Sequence, residues 1–173
     1  LVWAKQYRKA GPNEVMVIFG RTRRLRNMRT RKITDVGFRF QKGGGAFVWP
    51  ILEDYKFLSL EPRSISVSTA PKMTADSVLA SVEGTARVAI MGDEESIGTA
   101  AQLFLDQSPS EFGELVREIL DHHVLGVIGL RNFDDHRNHP DQIFDTLESS
   151  SRDALSEMGL YLVSFQVRAF RRV

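Results

Sequence analysis

Hydrophobic and polar residues alternate with a period of two through the first half of this chain, and the period lengthens after Ile90. Period two places successive side chains on opposite faces of a strand, whereas spacings of three and four place them on one face of a helix. Gly11-Pro12-Asn13 reads as a turn, and the run from Glu14 to Gly20 as a buried strand with Val15, Val17 and Phe19 on one face. Val36, Phe38 and Phe40 alternate with Gly37 and Arg39 and predict another strand. Gly43-Gly44-Gly45 reads as a flexible break, so Ala46-Phe47-Val48-Trp49-Pro50 is either a short buried strand or an exposed apolar tip. From Tyr55, Leu58 and Leu60 share a face, and Ile65 and Val67 follow the Glu61-Pro62 punctuation. The longest alternation, 78–90, sets Val78, Ala80, Val82, Ala86, Val88 and Ile90 against Leu79, Ser81, Glu83, Thr85 and Arg87. That strand is expected to have one face wet or covered by a partner.

Helical spacing begins with Ile97, Ala100, Ala101, Phe104 and Leu105, behind an Asp93 placed to cap and the acids Glu94 and Glu95. Ser108-Pro109-Ser110-Glu111 is a capping box with proline at the first helical position. It launches a stripe of Phe112, Leu115, Val116, Ile119, Leu120, His123 and Val127. A third helix is expected from Pro140, carrying Ile143, Phe144, Leu147, Ala154, Leu155 and Met158 to a stop at Gly159. The chain closes on a strand with Tyr161, Val163, Phe165 and Val167 on one face. Strands, then helices, then a strand predict an α+β fold: a twisted, mainly antiparallel sheet with three to four helices packed on it, near 94–106, 109–128 and 140–158.

Charge changes the picture. Residues 1–42 hold twelve Lys/Arg against Glu14 and Asp35, a net of +10, while residues 43–173 hold eleven against twenty acids, a net of −9. The basic end opens on Leu1-Val2-Trp3 rather than methionine and is expected to begin inside a longer chain. An apolar stub followed by Lys5, Arg8 and Lys9, and then by Arg21, Arg23, Arg24, Arg26, Arg29, Arg31 and Lys32, has the composition of a juxtamembrane segment. Each such cation near an anionic lipid surface contributes about 1 kcal/mol. Nucleic acid would attract the same charges, but residues 21–35 contain no aromatic to stack on bases. The stretch 21–32 has no apolar periodicity and reads as a solvated connection or hairpin arm. Its two charged alternatives to plain solvation are lipid headgroups or an acidic neighbouring subunit. At 173 residues the chain can bury one real core, and without cysteine it has no disulfide, thiolate metal site or cysteine nucleophile. No apolar run approaches the ~18 residues a bilayer-spanning helix needs.

Candidate chemistry is sparse. His122 and His123 follow Asp121, and Asp134-Asp135-His136 with His139 makes an H-x-x-H spacing that zinc or nickel could use on a helix. Asn138 and Pro140 argue for loop there, so solvated loop histidines and one histidine on a helix flank are the plainer account. Neither G-x-S-x-G nor H-E-x-x-H is present, and Gly43-Gly44-Gly45 lacks the Lys-Ser/Thr of a phosphate loop. No catalytic residue, metal or cofactor is proposed from the sequence.

The order of these elements is similar to the SPFH domain, also called the band 7 or prohibitin-homology domain, and within it to the flotillin branch. The stretches that carry the likeness are Gly11-Pro12-Asn13-Glu14-Val15, Gly45-Ala46-Phe47-Val48-Trp49-Pro50 and Leu58-Ser59-Leu60-Glu61-Pro62. They continue with Val82-Glu83-Gly84-Thr85-Ala86-Arg87-Val88, Phe104-Leu105, Met158-Gly159-Leu160 and Val163-Ser164-Phe165. Two segments depart from the flotillin pattern: Asp121-His122-His123-Val124-Leu125, and the remodelled connection 130–140. The resemblance implies a juxtamembrane segment over 1–10, an SPFH domain over 11–171 and a heptad-bearing stalk after it. It further implies a non-enzymatic, membrane-associated scaffold that assembles side by side into rings or cages and organises microdomains. Its partners would be anionic lipids, copies of itself and an NfeD-like membrane protein, and nucleic acid would not be one. Leu1, Val2, Trp3, Phe47, Val48 and Trp49 would touch the membrane; the cluster Arg21 to Lys32 would meet headgroups or a neighbour's Glu111, Glu114 and Glu118. Lys5, Arg8 and Lys9 place the domain on the cytoplasmic face by the positive-inside rule, given a spanning segment upstream. The alternatives are a prohibitin-like or stomatin-like regulator of a membrane protease or channel, and a basic nucleic-acid-binding module.

Overall fold

A computed structural model describes residues 7–26, 33–48 and 52–173. The chain divides into two compact units, one formed by Leu1–Glu61 with Gly92–Leu105 and the other by Pro62–Met91 with Asp106–Val173. Its order is β1 (Tyr7–Arg26), β2 (Ile33–Phe47), β3 (Asp54–Ser59), β4 (Arg63–Ser68), β5 (Lys72–Met73), β6 (Leu79–Ile90), α1 (Glu94–Phe104), α2 (Pro109–Gly129), α3 (Phe133–Asn138), α4 (Asp141–Ser156) and β7 (Leu160–Arg172). All strand pairs among the described residues are antiparallel, so the fold is α+β as the periodicity predicts.

In the first unit β1 lies between β2 and β3. A central strand covered on both faces has no wet side, and Val15, Met16, Val17 and Ile18 are all buried, in keeping with the buried strand expected there. Each such side chain contributes about 1.5–3 kcal/mol of burial. Val17 and Phe19 stand opposite Phe40 and Phe38, whose rings lie close to Gly98 of α1. Met16 and Ile18 point the other way, into a cluster with Ala10, Ala46, Val48 and the half-buried Tyr55. Gly11-Pro12-Asn13 does not reverse the chain. Residues 11–14 form a bulge opposite Gly43, and the positive φ of Gly43 (62°) and Gly44 (69°) is the left-handed geometry that only glycine adopts freely. The triple glycine is therefore strand, not a break.

In the second unit β6 pairs with β4 and β5 along one edge and with β7 along the other. Ala80, Val82, Ala86, Val88 and Ile90 are buried as the alternation predicts. β7 departs from it. Val163 and Arg168 are extra residues in the β6 ladder, so the alternation slips by one at each. Leu160, Leu162 and Phe165 are buried, whereas Tyr161 is 45% exposed.

The helix starts at Asp93 and Ser108 form as expected, with Asp93 accepting from the Ser96 N–H and Ser108 paired with Glu111 in a capping box. Along α2 the buried row is Phe112, Val116, Leu120 and Val124, a ridge of i+4 spacing, which leaves Leu115 at its margin and 37% exposed. α4 repeats the device with Ile143, Leu147, Ser151 and Leu155, where the Ser151 hydroxyl, inside the core, donates to the Leu147 carbonyl. α3 is a helix where loop was expected.

Candidate functional site

The apolar segment after the glycines is built from the strand that precedes it. Gly45 carries no side chain because the Tyr7 ring occupies the place where its Cβ would be. Phe47 ends β2 half-buried, and Val48 is buried against Met16 and Ile18. A side chain committed to that cluster does not face lipid, so Val48 is withdrawn from the membrane-contact set. Trp49, like Leu1, Val2 and Trp3, lies outside the described residues. Leu52, not a candidate from sequence, is 64% exposed.

Arg39, on β2, bonds to Phe47 and to Glu53. It stands opposite Ile18, itself opposite Tyr55, so all three share one face of the sheet. Its Nη2 donates to the Phe47 carbonyl oxygen at 2.6 Å and to Glu53 Oε2 at 2.9 Å. The Glu53 side chain is only 5% exposed. Neither residue was a candidate from sequence; the signal was a lone arginine within an alternating apolar strand.

The basic cluster continues β1 as one arm of a hairpin. Arg23 pairs with Val36, Arg24 with Asp35 and Arg26 with Ile33, while Arg21 falls in a bulge before them. Arg29, Arg31 and Lys32 lie outside the described residues.

The acidic residues gather on α2 as their helical spacing dictates. Glu111, Glu114, Leu115, Arg117, Glu118 and Asp121 line one open depression of ≈ 600 Å³. Glu111 is also structural. Its carboxylate accepts from the Ser108 backbone N–H at 2.7 Å and from the Ser108 hydroxyl at 2.8 Å, and those bonds hold it below the ordinary glutamate value. Asp121 was missed. Burial raises its carboxyl above the ordinary value against the pull of Arg117, and Oδ1 is buried without a hydrogen-bond partner among the described residues. A carboxylate surface with an exposed leucine suits a cationic, partly apolar partner.

The histidines do not converge. His122 and His123 touch edge to face at 5.6 Å on α2. His136 is buried on α3, its Nε2 3.2 Å from the Ile128 carbonyl and its ring 5.4 Å from that of Phe170. Its burial corrects the expectation of a solvated loop histidine. His139 is exposed at the C-cap of α3, so the H-x-x-H pair is split between core and solvent. Among the described residues no group of three His, Asp or Glu could hold a metal ion. No described helix is long and apolar enough to cross a membrane.

Comparison with known proteins adds to this geometry. The SPFH domain / Band 7 family matches residues 8–171. The flotillin-like protein FloT of Bacillus subtilis (strain 168) is 29% identical over 172 residues, 98% of this chain and 33% of that protein. Flotillin-1 of Drosophila melanogaster is 28% identical over 134 residues, 75% of this chain and 30% of that protein. Flotillin-2a of Danio rerio is 24% identical over 158 residues, 91% and 35% respectively. The chain thus spans about a third of the length of the curated relatives it matches.

Proposed function

The chain belongs to the SPFH domain / Band 7 family, and from that premise we propose that it is the head of a flotillin-like, non-enzymatic membrane scaffold. The observation that carries the reading is the flotillin likeness over 98% of the chain in one relative and 91% in another. Fold alone would not support a function, but the charge distribution agrees with it. A net of +10 over residues 1–42 suits anionic headgroups on the cytoplasmic leaflet. The segment 1–10 lies against the membrane, residues 11–171 form the SPFH domain, and a coiled-coil stalk follows in the longer protein. Phe47, Trp49 and Leu52 dip into the interface, where tryptophan is favoured. Copies assemble laterally into rings or cages, the Arg21 to Lys32 arm of one meeting Glu114 and Glu118 of the next, and so organise membrane microdomains. An NfeD-like membrane protein is the expected partner of another kind.

The test is sedimentation with vesicles of phosphatidylcholine alone or mixed with phosphatidylglycerol, over a salt series. Binding that requires the anionic lipid and weakens with salt supports the reading. A salt-dependent complex with an oligonucleotide, and none with either vesicle, replaces it with nucleic-acid binding. Trp49→Ala with Phe47→Ala is expected to weaken vesicle binding, and unchanged binding removes these residues from the contact.

A further inference from the structure

We propose that the exposed apolar patch of Met73, Leu79 and Leu130 is a docking surface for helix α2 of a second copy of this chain, whose Leu115 and flanking glutamates it receives. The contact presupposes the lateral assembly proposed above and adds a second junction to it. Met73 and Leu79 stand directly opposite each other in the β5–β6 pair, so their side chains share one face of the sheet. Leu130, at the C-cap of α2, lies beside them. There the Ala75 N–H donates to the Arg131 carbonyl at 3.0 Å, and a Cβ on Gly129 would come within 3.8 Å of the Met73 carbonyl oxygen. Met73 is 56%, Leu79 39% and Leu130 66% exposed, so the patch stands open among the described residues. Lys72 precedes Met73, Arg131 follows Leu130, and Arg171 and Arg172 stand on β7 opposite Ser81 and Ala80. The acids nearby are Asp76, which accepts from Thr74 and Phe133, and Glu83, 3.5 Å from Arg171. The surface is apolar with a cationic rim.

Helix α2 carries the inverse surface. Glu111, Glu114, Glu118 and Asp121, with Arg117 among them, surround the half-exposed Leu115 in one depression. Cations would meet carboxylates there, and leucine would meet leucine and methionine, a match of both charge and apolar area. The two surfaces cannot meet within one copy. Leu115 precedes Gly129 on the same helix by 14 residues, or about 21 Å at ~1.5 Å per residue. Gly129 adjoins the patch, so patch and acidic surface sit toward opposite ends of α2. Contact between unlike surfaces of neighbouring copies is head to tail, and its repetition closes a ring or continues as a filament. An anionic lipid surface would suit the cations as well. The second copy is favoured because it offers the carboxylates and the apolar contact together.

Disulfide trapping reads this contact directly, because the chain has no cysteine of its own. Met73→Cys and Leu115→Cys chains are purified separately, checked by far-UV circular dichroism, and oxidised alone and mixed. A disulfide requires Cα atoms within about 7 Å, so the proposed contact links one variant to the other and neither to itself. We expect the mixture to form disulfide dimers roughly tenfold faster than either variant alone. Glu114→Lys with Glu118→Lys in the Leu115→Cys chain should remove that advantage. Sedimentation velocity of the parent separates this contact from lateral assembly as such. A parent that associates, without preferential linking of the mixture, leaves lateral assembly standing and overturns the contact. A monomeric parent with no preferential linking overturns both. Equally fast linking of Met73→Cys to itself overturns the proposal, as does linking that survives reversal of the glutamates. Vesicles of phosphatidylcholine and phosphatidylglycerol that shield Met73→Cys from a water-soluble maleimide, with no preferential linking, give the surface to lipid instead. If Met73→Cys does not fold, Leu130→Cys replaces it; misfolding of both assigns the patch to the core and equally overturns the proposal.

Discussion

The Asp76 carboxylate accepts the backbone N–H of Phe133 at 3.1 Å, across 57 residues of chain. Asn132 occupies the N-cap of α3 but makes no side-chain cap, so a residue from the β5–β6 connection satisfies one of the free amides of the first turn. The Thr74 hydroxyl donates to the same carboxylate at 2.5 Å.

The Thr74 hydroxyl first, and then the Phe133 amide, hold Asp76 below its ordinary value of 3.8. A carboxylate depressed in the folded state contributes stability that is present above pH 3.8 and lost as pH falls through the lower folded value. Acid below pH 3.8 should therefore loosen α3, and Asp76→Ala should do so at neutral pH. Hydrogen exchange of the first-turn amides of α3 checks both; unchanged exchange in Asp76→Ala would show that the helix start is held by packing alone.

His136 has the opposite sign. Burial pulls it below 6.5, outweighing the Ile128 carbonyl and Asp135, which favour its charged form, while Arg131 adds to the depression. The unfolded chain then binds the proton first, so stability is complete above pH 6.5 and declines as pH falls below it. Thermal melts between neutral and mildly acid pH should show this decline, and His136→Phe should flatten it. An equally steep decline in the variant would place the responsible group elsewhere.

Gly84 sits in the middle of β6, opposite Val67 and Val167. A Cβ there would meet Phe165 Cζ at 2.7 Å and the Gln166 carbonyl oxygen at 2.9 Å. A ring can shift, but the backbone oxygen of a paired strand cannot do so cheaply. Gly84→Ala should cost about 1–3 kcal/mol of overpacking, and Phe165→Leu should recover part of it. A melting temperature equal to the parent's would mean that the β6–β7 ladder yields more easily than its pairing suggests.

Lateral assembly should be weak in the 173-residue chain and should respond to salt. Exposed ion pairs contribute about 0–1 kcal/mol each, and the Debye length shrinks from about 10 Å at 0.1 M to about 3 Å at 1 M. Sedimentation velocity is expected to show a monomer or loose oligomer at micromolar concentration, loosened further by salt. Glu114→Gln with Glu118→Gln is the suitable variant, because Glu111 also closes the α2 capping box. Ser108→Ala measures that separate role and should cost about 1 kcal/mol of stability. A tight, salt-insensitive oligomer would reveal an apolar interface instead.

Features that depend on neighbours along the chain are legible in the residues alone. Alternation identified β6, the Asp93 and Ser108 caps placed the starts of α1 and α2, and charge counting separated a basic end from an acidic remainder, because each signal is complete within one strand or turn. Ordered motifs were enough to point to the family. Tertiary structure decided what depends on pairing between distant segments. The bulges opposite Gly43 and at Val163 and Arg168 are mismatches between two strands, so no single strand displays them. α3 forms where Asp76, distant in sequence, caps its start and His136 finds a buried place beside Phe170. Arg39 reads as an ordinary outward residue of an alternating strand until folding brings Phe47 and Glu53 to it. The carboxylate that meets it at 2.9 Å is enclosed only in the folded chain, so nothing local to β2 announces the pair.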